Sequence, residues 1–105
     1  MARHYILAPR AAKDIENIFF YTLNHWGMVQ AEKYVSQLKQ SMQRLAKGEI
    51  AGKSCQSAIG ELGAGSYYYH QGRHYIIYRE HPIGIEVIAL YHDRMNLADH
   101  LQTLV

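Results

Sequence analysis

Apolar residues recur at helical spacing through the first half of the chain and crowd into short runs in the second. Ala11, Ile15, Ile18, Phe19, Thr22, Leu23 and Trp26 fall on one stripe, opened by Pro9 and closed by Gly27. Pro9 suits a first helical turn because an N–H there has no intrahelical partner, although Ala8 before it has no side-chain cap to offer. A second stripe, Ala31, Tyr34, Val35, Leu38, Met42 and Leu45, predicts a helix from about Val29 to Lys47, stopped by Gly48. Two amphipathic helices joined through a glycine make an antiparallel hairpin, and both stripes read as core. Ahead of them, Arg3 to Ala8 reads as a short strand centred on Tyr5, Ile6 and Leu7.

The second half changes period. Ser66 to His70, His74 to Glu80 and Ile85 to Tyr91 read as three strands, separated by Gln71-Gly72 and by His81-Pro82-Ile83-Gly84. Asn96, with Asp99 three residues on, predicts a capped short helix whose apolar face is Leu97, Leu101 and Leu104. Glu49 to Gly65 has no clear period. It is either functional or carries a short turn of helix near Gln56 to Ile59. The fold class is therefore α+β: an N-terminal strand, a two-helix hairpin, a three-strand antiparallel meander packed on it, and a short C-terminal helix.

Strict alternation sets His74, Ile76 and Tyr78 against Tyr75, Ile77 and Arg79, and sets Ile85, Val87, Ala89 and Tyr91 against Ile88 and Leu90. Both faces are apolar, and one hairpin covers only one of them. The terminal helix and a partner protein share the other.

Composition narrows the class. At 105 residues and 49% hydrophobic, the chain fits a single domain spanning 1–105 and excludes disorder. No run approaches the roughly 18 apolar residues of a membrane span, and the N-terminus lacks the apolar segment of a signal peptide. The net charge of +2 is too small to argue for sequence-specific nucleic-acid binding. A single cysteine, Cys55, permits no internal disulfide and fits a cytoplasmic home. His70 and His74 flank a turn with no cysteine or fixed carboxylate to complete a metal site, so neither metal nor cofactor is expected.

A set of motifs runs in order along the chain: Ala8-Pro9-Arg10-Ala11 with Asp14-Ile15, His25-Trp26-Gly27, Ala31-Glu32 with Tyr34, and Gly52-Lys53-Ser54. The strongest are Gly72-Arg73-His74-Tyr75-Ile76-Ile77-Tyr78-Arg79, Ile85-Glu86-Val87-Ile88, and His92 followed by Met95-Asn96 and His100-Leu101. Together they resemble the ParE branch of the RelE/ParE superfamily of type II toxin–antitoxin toxins. The resemblance implies a toxin that binds and inhibits DNA gyrase and is neutralised by a cognate, ParD-like antitoxin. The alternative it carries is a ribosome-dependent mRNA endonuclease of the RelE class, with His74 and His92 as its catalytic candidates. The chain departs from the family at Ala8, where Ser is frequent, and at Tyr67 to Tyr69 and Ala89, where arginines are frequent. The last two changes make this sheet more apolar.

Hydrolysis of RNA needs an acid, a base and cations at the scissile phosphate. The flat charge balance and the missing matched set favour a non-enzymatic binder. The turn His92, Asp93, Arg94 and Met95 is the candidate target contact. Tyr67, Tyr69 and Tyr75, with Arg79 for an acidic partner residue, are the candidate antitoxin contacts.

Overall fold

The computed structural model describes residues 2–104. The chain runs β1 (His4–Leu7), α1 (Pro9–Trp26), α2 (Met28–Lys47), β2 (Lys53–Ser54), α3 (Gln56–Ile59), a 3₁₀ turn (Gly60–Gly63), β3 (Ser66–Gln71), β4 (His74–His81), β5 (Gly84–His92) and α4 (Leu97–Gln102). The helical hairpin, the meander and the capped last helix thus form as their patterns predict. The two-residue strand β2 had no signal in the sequence. It pairs Lys53 with Tyr68 and Ser54 with Tyr67.

Gly27 is the whole connection between the long helices. Its N–H donates to Leu23 O at 3.0 Å, and its carbonyl accepts from Ala31 N–H at 3.0 Å, so one residue ends α1 and begins α2. It does so at φ +91°, a conformation that residues with a Cβ rarely adopt. Arg3 ties the N-terminus to the end of α2, donating from Nε to Ala46 O at 2.6 Å and from its terminal nitrogen to Gly84 O at 2.9 Å. The first bond satisfies one of the carbonyls a helix leaves unpaired at its C-terminus.

The sheet order is β1-β5-β4-β3-β2, with β1 parallel to β5 and the remaining pairs antiparallel. The hairpin packs on one face. Its core joins Ile15, Leu38, Met42 and Leu45 to Ile76, Tyr78, Ile85, Val87 and Leu90. The opposite face has a second, smaller core of Cys55, Ile77, Ala89, Tyr91 and Leu101, flanked by Ile59, Leu97 and Leu104. The irregular stretch and α4 therefore cover the face that the hairpin leaves open.

Two expectations need correction. Strict alternation along β5 fails because the register slips between Ile77, opposite Ala89, and Tyr78, opposite Val87. Ile88 is the extra residue of a β-bulge, and a bulge reverses which side the following residues face. Ile85, Val87 and Leu90 consequently face the hairpin, while Ala89 and Tyr91 join the second core. Trp26 also leaves the predicted stripe: it stands 72% exposed at the hairpin tip.

Candidate functional site

The bulge decides what lies beside His74. After it, His92 returns to the hairpin side and sits directly across the ladder from His74, the rings edge to face at 5.1 Å. Tyr34 reaches down from α2 to meet them. Its hydroxyl accepts from Arg73 N–H at 3.1 Å and lies 2.5 Å from His74 Nδ1. The other acceptor within reach, Gln71 O, is 3.4 Å away. The tyrosine proton therefore goes to His74 Nδ1, and the imidazole keeps its own proton on Nε2. Gly72 makes this approach possible. It takes φ +61° in the turn, and a Cβ there would stand 2.7 Å from the Tyr34 ring. Burial pushes His74 down to about 4, helped by His92 and opposed by Asp93. Burial likewise raises Tyr34, against the Arg73 amide, so both groups are neutral near pH 7.

His92 is fixed by the turn that follows it. Its Nδ1 accepts from Arg94 N–H at 3.0 Å, which leaves its ring proton on Nε2. The approach of Asp93 Oδ1 to that same nitrogen, 3.4 Å, is then not an ion pair. Asp93 turns instead to His70, with Nε2 3.1 Å from Oδ2, and this hydrogen bond is the chief cause of its lowered pKa. Its own N–H donates to Arg73 O at 2.8 Å, so the β3–β4 turn and the segment after β5 brace one another. Arg94 and Met95 are left exposed at the end of this brace.

Of the predicted target contacts, His92 to Met95 thus stand together on one turn. The predicted antitoxin contacts do not share a face. Tyr67 and Tyr69 are half-buried on the hairpin side, with Tyr67 stacked on Tyr78 at 5.5 Å. Tyr75 packs against the second core, edge to face with Tyr68 at 5.8 Å. Arg79, on that same face, is already paired with Glu86 at 2.6 Å. Among the described residues, no group of three His, Cys, Asp or Glu side chains could hold a metal ion.

Sequence reasoning missed two features. Asp14 accepts the N–H of Leu90 at 3.0 Å, serving a backbone donor two residues beyond the bulge while also meeting Arg10 at 3.3 Å. A groove of about 830 Å³ also opens along the hairpin, floored by Tyr5, Ile15, Phe19 and Val35, with Phe20 51% exposed at its lip. The signal for it was in the stripes: Phe19 and Phe20 are adjacent, and a helix burying one face cannot hide both.

Residues 5–97 match the family described as ParE toxin of type II toxin-antitoxin system, parDE. The chain belongs to this family. It is 31% identical over 102 residues to Toxin ParE1 of Mycobacterium tuberculosis, covering 96% of this chain and all of the relative. It is 30% identical over 97 residues to Toxin ParE1 of Caulobacter vibrioides, covering 92% of this chain and 96% of that one. Toxin ParE of Escherichia coli is 31% identical over 97 residues, with 92% of this chain and 91% of the relative covered. Among solved structures, a chain of the chromosomal ParDE system from P. aeruginosa superposes with a TM-score of 0.67 at 16% identity. The superposition covers 87% of this ParE chain and 96% of that one, and it establishes the shared fold. The chain is accordingly a ParE toxin of a type II toxin–antitoxin system. None of its described helices is long and apolar enough to cross a membrane.

Proposed function

We propose that this toxin acts by binding DNA gyrase, without hydrolytic chemistry of its own, and that a cognate antitoxin silences it. Membership of the ParE family across residues 5–97 is the observation that carries this reading. The site geometry agrees with it. Each candidate histidine has one ring nitrogen committed to the scaffold, His74 to Tyr34 and His92 to the Arg94 amide. A neutral imidazole with its lone pair already occupied makes a poor general base. The exposed Arg94 and Met95 at the end of the braced turn suit a contact with a protein target.

The antitoxin in this reading uses two surfaces. The groove along the hairpin fits the apolar face of an amphipathic helix. The outer edge of β3 beyond the short β2 fits an added strand next to Tyr69, because β2 pairs only with Tyr67 and Tyr68.

Two assays run side by side test the proposal: gyrase supercoiling and ribosome-dependent mRNA cleavage. The expected result is inhibited supercoiling and intact mRNA, with the double variant His74→Gln, His92→Gln unchanged in the second assay. Cleavage by the native protein that disappears in the double variant would overturn it in favour of the endonuclease.

A further inference from the structure

The hairpin tip and the His74–His92 ladder enclose a cleft of about 540 Å³, separate from the groove along the helices. Its floor has an excess of hydrogen-bond donors. Both imidazoles keep their protons on Nε2, and neither Nε2 has a partner among the described residues. Arg73 lines the same cleft and is exposed, with no carboxylate within ion-pair distance among the described residues. Asp93, whose charge acts on His74, His92 and Arg73, points one carboxylate oxygen away to His70.

The walls of the cleft are aromatic. Trp26 stands 72% exposed and Tyr21 60% exposed, with Tyr21 stacked on His25 at 4.0 Å and 23° between ring planes. Large exposed aromatics beside unsatisfied donors are a recurring arrangement for a ligand that is flat at one end and anionic at the other.

We propose that this cleft binds one nucleotide, its base against Trp26 and its phosphate on Arg73 and the imidazole N–H groups of His74 and His92. The size agrees, since pockets for ligands of this class run from about 300 to 1,000 Å³. An acidic peptide would satisfy the donors and leave the indole in water. An apolar one would cover the indole and leave the donors unpaired. A nucleotide engages both. Recognition of this kind does not depend on base sequence, because every base has a face to stack, and it is compatible with the small net charge of +2. It goes beyond the assignment of gyrase as target and stands or falls separately.

Trp26 is the one tryptophan of the chain, so its fluorescence reports on the cleft directly. Adenosine 5′-monophosphate and a short single-stranded oligothymidylate, titrated into the intact protein, distinguish a free nucleotide from a strand. Saturable quenching by either supports the proposal. Adenosine without its phosphate binds about tenfold or more weakly, and Arg73→Ala weakens the nucleotide by a similar factor, as expected for loss of a charge-assisted contact. Inorganic phosphate competes without quenching. Arg73 is exposed, so its variant keeps the fold. No saturable quenching by either probe overturns the proposal. So does quenching that Arg73→Ala leaves untouched, or saturable binding of a polyglutamate peptide with none of either nucleotide.

Discussion

His74 is where the chemistry of single residues is most exacting. Tyr34 from α2, His92 from the end of β5, Asp93 just beyond it, and Arg73 from the adjoining turn all bear on it. Its folded-state pKa of about 4 lies below the ordinary 6.5, so between those values the unfolded chain takes up a proton that the folded chain refuses. Stability contributed by neutral His74 is complete above about pH 6.5 and is lost as pH falls toward 4. Over the whole window the loss is at most about 3.5 kcal/mol at 1.4 kcal/mol per pH unit, and solvent screening of the part-exposed ring makes it smaller. Urea unfolding at pH 7 and pH 4.5 should show that fall in the native protein and a much smaller one in His74→Gln. Equal pH sensitivity in the two proteins would place the titrating group elsewhere. The Tyr34–His74 bond was not legible in the sequence, because 40 residues separate its partners and neither sits in a motif that specifies the other.

Among the elements, the helices and the meander were legible because each has a period of its own and a glycine or an Asn cap at its boundary. Asn96 is the clearest case: its side chain accepts the Asp99 N–H at 3.2 Å, as the spacing predicts. The face assignment along β5 was not legible. A bulge shows in the sequence only when it puts a polar residue where an apolar one belongs, and Ile85 to Tyr91 are apolar on both sides apart from Glu86. The candidate site depended on that bulge, so His74 and His92 could be named but not joined. The second core rests on α4. Leu101, 2% exposed, is its one buried residue, packed with Cys55, Ile77, Ala89 and Tyr91. Leu101→Ala should cost about 2–4 kcal/mol and Asn96→Ala about 1 kcal/mol. Thermal denaturation measures both. A Leu101→Ala protein as stable as the native one would mean that the sheet does not need its second cover.

For the whole molecule, the uneven treatment of the two sheet faces sets where partners fit. The second core is covered by local structure apart from a cavity of about 230 Å³, and a wider apolar opening lies along the hairpin, at Tyr5, Phe19, Phe20 and Val35. Phe20 packs edge to face on Phe19 at 5.7 Å but stands outside the main core, so Phe20→Glu leaves the fold intact. In calorimetric titration of the toxin with its antitoxin, that variant should bind at least about tenfold more weakly, the loss expected of a central aromatic contact. Undiminished affinity, together with a large loss in Tyr69→Ala, would move the antitoxin to the sheet edge alone.

The pairing of β1 with β5 fixes when this toxin can exist. Among the described residues the first strand pairs with the last alone, joined in parallel register from His4 opposite Gly84 to Leu7 opposite Val87. A nascent chain emerging residue by residue can wind its helices early, but nothing can occupy the place beside β1 until residues 84–92 have been made. Translation therefore delivers an unfinished sheet, and the assembled protein appears only once its final strand is free. A message cut or terminated anywhere ahead of that strand yields helices without a toxin.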